Sequence, residues 1–182
     1  MKYRRLILRR LPLTSATSQA LVLAVFCLAG CAGYQLGPTN GVAARERSIQ
    51  VTPFINHTLE PNLTDALTSQ LRKELQRDGT YQLATRERGD IIVTGVITQL
   101  QRHGLSFVPS DTLTVRDFQL TLTAHVTARD QVSGKVLLDR PVTGHTLMRV
   151  GSDLTASERQ TLPLLAADLA KNVTALLVDG AW

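Results

Sequence analysis

Residues 118–129 read FQLTLTAHVTAR, and this is the most regular stretch of the sequence. Apolar and polar side chains alternate without a break, and a period of two residues is typical of a strand with one buried face. The stretch therefore predicts a β-sheet that is covered on one side and hydrated on the other. The side chains assigned to the covered side are Phe118, Leu120, Leu122, Ala124, Val126 and Ala128.

Further strands are predicted on either side of this stretch. Residues 90–102 (DIIVTGVITQLQR) are β-branched and lack a helical stripe, residues 135–150 follow a turn at 130–134, and a short extended piece precedes them at 81–84. Pro141 predicts a bulge or an edge position. The strand at 90–102 is apolar on both faces, which predicts a central strand whose second row contacts something other than the helices. Its rows are Ile91, Val93 and Ile97, and Ile92, Val96 and Leu100.

Two amphipathic helices complete the predicted fold. Apolar residues recur every three or four positions at 63–75 and at 162–177, and Gly79 and Gly180 supply the helix stops. A short strand at 49–54 precedes the first helix. We predict an α+β fold in the order β-α-β-β-β-α, with two helices packed on one face of a mostly antiparallel four-stranded sheet.

The first 30 residues differ from the rest of the chain. Basic residues without any acidic one precede the uncharged run ALVLAVFCLA at 20–29. An apolar run of about 10 residues after a basic region is typical of a secretory signal peptide, whereas a membrane-spanning helix needs about 20. We assign residues 1–30 to a signal peptide, residues 31–47 to a tether and residues 48–182 to a single domain.

Charge and cysteine content change when residues 1–30 are removed. The leader takes five of the 20 Lys+Arg and none of the 15 Asp+Glu, which leaves the mature chain without formal net charge. Nucleic-acid binding relies on a surplus of cations and is therefore not predicted. Cys27 leaves with the leader, so Cys31 has no second thiol to pair with and the domain is predicted to fold without a disulfide.

Motifs of catalysis are missing from the sequence. It contains no G-x-S-x-G, no H-E-x-x-H and no glycine-rich phosphate loop. The four histidines are far apart in the chain, and none has a second ligand at metal spacing. We predict a protein that is not an enzyme, with no catalytic residues, no metal site and no dissociable cofactor.

The predicted connection between two of the long strands contains more apolar residues than is usual for a turn. The segment HGLSFVPSDT at 103–112 separates two predicted strands, where a polar turn is expected. Leu105, Phe107 and Val108 place three apolar side chains there, and exposed groups of this kind mark contacts with a partner or with lipid. Packing onto the domain's own core is the other interpretation. These three residues are the candidate partner or lipid contact.

Residues 28–31 (LAGC) resemble the lipobox of bacterial lipoproteins. The resemblance implies that Cys31 carries an S-diacylglycerol and an N-acyl chain such as palmitate, which together give stable anchoring without a membrane-spanning helix. Ala32 stands where an aspartate would imply retention at the inner membrane, so the resemblance points to the periplasmic side of the outer membrane. An ordinary signal peptide with an incidental cysteine is the alternative.

The mature chain as a whole resembles the LptE family of lipopolysaccharide-assembly lipoproteins of the Gram-negative outer membrane. The order and spacing of the matching pieces carry the resemblance, since each piece alone occurs in many exported proteins. The pieces are CAGYQL at 31–36, the strand at 49–54, Asn56 and Thr58, Pro61-Asn62-Leu63, Leu67-Thr68 with Leu71, and Gly89-Asp90 before the apolar strand. Gly89 is a departure, because family members often have alanine there.

The family resemblance implies a function in lipopolysaccharide transport. LptE proteins plug the lumen of the large β-barrel LptD, help to assemble it and assist lipopolysaccharide delivery to the outer leaflet. The resemblance also implies contact with lipopolysaccharide through basic residues, and Arg102, Arg116 and Arg149 are the candidates for binding its phosphates. A solvated charge at a strand end is the other interpretation for each arginine.

Two other classes of function compete with this one. The first is a stand-alone binding or scaffolding lipoprotein of a secretion or transport complex, because domains that open with an apolar strand, Pro-Phe and a long helix resemble such subunits. The second is a hydrolase with an unrecognised site. Purification of the lipoprotein in mild detergent distinguishes the scaffolding role from lipopolysaccharide assembly. Stoichiometric recovery of one large barrel favours the lipopolysaccharide-assembly role, whereas a ring of the lipoprotein itself or an inner-membrane transporter favours the scaffolding role.

Overall fold

The computed structural model describes residues 45–86, 88–108, 111–151 and 153–180, and at residues 108 and 111–114 it describes the backbone alone. The signal peptide, Cys31 and the tether up to residue 44 lie outside the described residues. Their assignment therefore stays a prediction.

Within the described residues, six strands form one mixed sheet covered by two helices. The helices are α1 (Leu63–Asp78) and α2 (Leu154–Asp179). The sheet order is β3-β1-β4-β5-β6, and β2 pairs with β4 beyond the end of β1. The strands are β1 (Ser48–Val51), β2 (Ile55–Asn56), β3 (Gln82–Leu83), β4 (Ile91–Val108), β5 (Asp111–Asp130) and β6 (Val136–Arg149).

The prediction of four strands was wrong, because the sheet has six. β1 and β2 take the place of the single strand predicted at 49–54, and the extended piece predicted at 81–84 forms β3. β1 and β2 pair in parallel with successive parts of β4, and β3 pairs in parallel with β1. Pro53 separates β1 from β2, since it has no N–H to give to a ladder. The parallel pairing follows from the connection: α1 crosses over between β2 and β4 and brings the chain back in the same direction.

The other strands are antiparallel, as predicted, but two of them are longer than the sequence indicated. β4 and β5 stay paired until Val108 lies opposite Asp111. The segment at 103–112 is therefore mostly strand, and its prediction as a connection between strands was wrong. Phe107 and Val108 are residue types that favour strands, and the prediction of a loop did not take that preference into account.

The predicted covered face of β5 is buried beneath the helices. Leu122, Val126 and their alternate neighbours are fully buried, as are Leu67 of α1 and Leu169 of α2, and all belong to one hydrophobic core. Phe118 is partly buried and packs against the same core. α2 is long and apolar enough to cross a membrane, but half of its apolar window is buried inside the domain, as expected of a core helix.

A β-bulge at Thr98 changes which side chains of β4 face the helices. Ile97 lies opposite Ala124, whereas Gln99 lies opposite Thr123, so the alternation shifts by one residue between them. Leu100 consequently lies opposite the buried Leu122 and packs against the core. Its prediction on the outer face was wrong, and the second apolar row of β4 is reduced to Ile92 and Val96, which are partly buried.

Candidate functional site

The sheet has a two-stranded extension at one end. β6 ends with Arg149 opposite Asp117, whereas β4 and β5 continue as a pair beyond that point. We call this extension, residues 105–108 and 111–116, the hairpin end. Leu105 is 49% exposed and Phe107 51% exposed, so neither is part of the buried core. Val108 lies in the last position of β4. That these residues contact a partner or lipid stays a prediction.

Arg102 connects three elements just before the hairpin end. Its side chain forms ion pairs with Glu60, at 3.2 Å between Nη2 and Oε1, and with Glu158 of α2. Arg102 lies opposite Leu120 and therefore on the helix side of the sheet. Two carboxylates already compensate its charge, so the geometry favours a structural role that ties β4 to the segment before α1 and to the first turns of α2.

Two further exposed leucines lie beside the partners of Arg102. Leu59 precedes Glu60 and is 99% exposed, and Leu154 begins α2 one turn before Glu158 and is 45% exposed. Neither residue was predicted as a site residue. Leu59 could have been found by the argument applied to 103–112, because it is an apolar residue between the turn at Asn56 and the first helix. Nothing in the sequence indicated that Leu154 is exposed, because a leucine is an ordinary residue in an apolar helix.

The three candidate arginines do not form one cluster. Arg149 donates from Nε to Asp117 at 3.0 Å, and Arg116 is exposed beside that carboxylate. The hydroxyl of Ser106 also donates to Asp117, and this bond, followed by that of Arg149, lowers the pKa of Asp117 below its usual value. Arg102 lies on the opposite face of the sheet. Arg116 and Arg149 could share one anionic group, whereas Arg102 could not join them.

The outer face of the sheet, which points away from the helices, is polar and largely uncharged in its centre. Gln99, Gln101 and His103 of β4 lie beside threonine or glutamine on β5, and β6 adds Thr143 and His145. His145 Nδ1 lies 3.1 Å from the hydroxyl of Thr121. A shallow cavity of about 430 Å³ opens here, lined by Gln101, His103, Gln119 and Thr121 together with Arg102, whose guanidinium is paired with Glu60 and Glu158. The polar groups of this cavity can exchange hydrogen bonds with a ligand.

A cluster of metal ligands is absent from the part of the chain that the structure describes. No group of three or more His, Cys, Asp or Glu side chains there is placed to hold an ion. His125 is paired with Asp139, with 3.5 Å between Nδ1 and Oδ1, and both side chains are largely exposed.

The residues that carry the family resemblance have structural roles. Asn56 forms an Asx turn: its Oδ1 accepts from Thr58 N at 2.9 Å, and its Nδ2 donates to Glu60 O at 2.7 Å. Asp90 accepts from both the N–H and the hydroxyl of Ser48, each at 2.7 Å, and so joins the start of β4 to β1. Gly89 is required beside it, because a Cβ there would lie 2.6 Å from Gln50 N.

Several solved structures share this fold. A protein from Xanthomonas campestris has a TM-score of 0.55 at 13% identity, over 80% of this chain and 91% of that chain. A hypothetical protein from Chlamydia trachomatis has a TM-score of 0.51 at 11% identity, over 70% of this chain and 93% of that chain. The PelC dodecamer from Paraburkholderia phytofirmans has a TM-score of 0.50 at 17% identity, over 79% of this chain and 96% of that chain.

Sequence comparison is more specific than these structural similarities, which show the fold alone. No curated protein sequence matches the chain. A family model described as LptE, Lipopolysaccharide-assembly, matches residues 46–177, which include every strand and both helices except the last two residues of α2. The chain therefore belongs to the LptE lipopolysaccharide-assembly family.

Proposed function

We propose that this protein is an outer-membrane lipoprotein, anchored through Cys31, that plugs and helps to assemble an LptD-type β-barrel and assists lipopolysaccharide delivery to the outer leaflet. The observation that carries the proposal is the family match over residues 46–177. A lipoprotein of this family acts in lipopolysaccharide assembly without catalysis, and the exposed apolar and polar surfaces of the described residues suit such a binding role.

The fold supports this role in two ways. A domain inside a barrel needs surfaces that accept contact on several sides, and this one has a neutral polar outer face and an apolar hairpin end on the same sheet. The long hairpin also extends the domain in one direction, which suits an elongated lumen. We propose that Leu105, Phe107 and Val108 contact the barrel wall or a lipid chain there, and that Arg116 and Arg149 contact lipopolysaccharide phosphates.

The proposal is tested by purifying the tagged full-length lipoprotein from membranes in mild detergent. We expect stoichiometric recovery of one large outer-membrane β-barrel that bears lipopolysaccharide. Recovery of a ring of the lipoprotein alone, or of an inner-membrane transporter, would instead identify the protein as a stand-alone scaffolding lipoprotein. A mock purification from cells that carry the untagged protein serves as the control for barrels that bind the resin.

A further inference from the structure

The edges of the sheet are protected unevenly. The free edge of β6 is covered by α2: Asp168 accepts from His145 N at 2.8 Å, and Asn172 donates to Thr143 O at 2.8 Å. Pro141 lacks an N–H on the same strand. The opposite edge of the sheet is β3, which has only two residues. Short, covered or proline-containing edges are the usual means by which proteins prevent unwanted strand pairing.

β4 has a third edge, which differs from the other two. β1 and β2 occupy its first part, and the last backbone bond on that side joins His57 N to Ile97 O at 3.0 Å. After His57 the chain leaves the sheet and leads to α1, whereas β4 continues past Ile97. Among the residues that the structure describes, none pairs with β4 on this side from Gln99 to Gly104, although β5 pairs with it continuously on the other.

The backbone groups along this edge follow from the alternation of the strand. Before the bulge, the carbonyl groups of the core-facing residues of β4 point towards β1 and β2. The carbonyl oxygen of Val93 accepts a hydrogen bond from Thr52 N, and that of Ile97 accepts one from His57 N. After the bulge the core-facing residues are Leu100, Arg102 and Gly104, so their N–H and C=O groups point to the open side. Six residues of regular strand span about 20 Å, enough for an added strand.

We propose that residues Gln99–Gly104 form a docking edge on which an extended segment of the barrel partner adds as a further strand, in line with β1 and β2. The inference rests on the proposed function. Continuity with the existing parallel strands favours this occupant, because the added segment would extend an edge that the fold already uses for pairing. Exposed Leu59 and Leu105 lie at the two ends of the edge, so the segment is expected to carry apolar side chains that meet them.

Hydrogen exchange of the full-length lipoprotein, followed by mass spectrometry, tests the docking edge. In the isolated lipoprotein we expect about half of the amides in peptides that cover 99–104, those of Leu100, Arg102 and Gly104, to exchange fast, and in the purified barrel complex we expect their exchange to slow at least tenfold. Slow exchange already in the isolated chain would mean that another segment of this chain covers the edge. Slowing with lipoprotein concentration in the absence of the barrel would identify a second copy as the occupant. Either result overturns the proposal.

A pair of variants at Gly104 tests the same edge by recovery of the barrel. Gly104→Pro and Gly104→Ala both add a Cβ about 3.2 Å from Val115 Cγ1, but only proline removes the N–H that points to the open side. We expect at least fivefold lower recovery with proline than with alanine, while thermal melting shows both variants folded. Equal recovery, or a complex in which 99–104 still exchanges fast, overturns the docking edge alone. Failure of the wild-type lipoprotein to recover any barrel overturns the proposed function as well.

Discussion

Asp90 fixes the start of the sheet with a single carboxylate. It accepts two hydrogen bonds from Ser48, while the Ser48 hydroxyl accepts from Asp90 N at 2.9 Å, so β1 and β4 are joined at their first residues. The backbone bond from Ser48 is the main reason that the pKa of Asp90 lies below its usual value of 3.8, followed by the bond from the Ser48 hydroxyl. The Gly89-Asp90 pair is therefore a structural motif of the family resemblance and not a binding site.

This carboxylate makes acid stability a testable property. A group whose pKa is lowered by folding contributes stability above its unfolded pKa, and that contribution is lost as the pH falls through the folded pKa. We expect Asp90→Asn to melt at a lower temperature than wild type at pH 7. Its melting temperature should then fall less than that of wild type when the pH is lowered below about 4. Asp139→Asn is the matched control, since that carboxylate is largely exposed. Parallel melting curves for wild type and Asp90→Asn across this pH range would show that the Ser48 bonds do not favour the charged form.

Cys31 is the residue predicted to hold the mature domain at a membrane. The lipobox resemblance predicts that Cys31→Ala leaves an unprocessed precursor or a soluble protein, because the thiol that receives the diacylglycerol is gone. Metabolic labelling with a radioactive fatty acid is the measurement, with incorporation expected in the wild-type chain and none in the variant. Cys27→Ala is the control, since Cys27 belongs to the predicted leader. An unlabelled wild-type chain would end the lipoprotein assignment.

Among the elements, β5 is the strand that the sequence predicted best. Leu122 is fully buried against the helices, whereas Thr121 is partly exposed on the outer face. Removing a buried leucine side chain costs about 2–5 kcal/mol, a large part of the stability of a typical domain. We expect Leu122→Ala to lower the melting temperature markedly and Thr121→Ala to change it little. Equal shifts would contradict the assignment of the two faces.

The elements that the sequence did not predict have identifiable physical causes. Alternation and helical stripes depend on neighbouring residues, so they indicated β5 and both helices. β2 has two residues, too few to show any period, and it exists because it pairs with the distant strand β4. The sequence predicts an extended piece at 81–84, but the place of β3 in the sheet depends on its pairing with distant β1. The bulge at Thr98 depends on the register with β5, and the pairing of Arg102 with Glu60 and Glu158 depends on how three elements meet.

The hairpin end is the element with the clearest predicted effect on binding. Phe107 is half exposed and stands outside the core, so Phe107→Asp should leave the melting temperature nearly unchanged and weaken co-purification with the barrel. Val132→Asp is the matched control, because Val132 is 88% exposed in the turn between β5 and β6. Unfolding of the Phe107 variant would place this side chain in the core instead, and the contact surface would then be sought on the outer face of β4.

The whole molecule combines a helix-covered face with an outer face that has few charges at its centre. The proposed plug would have to satisfy hydrogen bonds against surrounding walls without desolvating many ions, and threonine and glutamine can do so at lower cost than charged residues. The ion pairs instead lie near the ends of the sheet, where Arg47 pairs with Asp130 and Arg149 with Asp117. This distribution agrees with a domain that is surrounded on several sides.

Under the proposed function, a defect in this domain is expected to affect the barrier of the cell envelope. We expect cells in which Phe107→Asp replaces the wild-type protein to become more permeable to bulky antibiotics, because incorrectly assembled barrels deliver less lipopolysaccharide. Minimum inhibitory concentrations measure this effect, and cells with Val132→Asp should match wild type. Unchanged permeability together with normal barrel recovery would show that the hairpin end has no part in envelope assembly.

The bulged residue Thr98 of β4 also constrains how the gene can change. Thr98 shifts the alternation so that Leu100 and Arg102 face the helices while Gln101 and His103 face outwards. Loss of the Thr98 codon would remove the bulge and leave the other side chains of β4 on their present faces, because Ile97 already lies opposite Ala124 and Gln99 opposite Thr123. Loss of one codon elsewhere along this part of the strand, with the bulge retained, would move the side chains on one side of the deletion to the opposite face of the sheet. Single-residue deletions in this strand are therefore expected to spare the fold at the bulge and to destabilise the domain on either side of it.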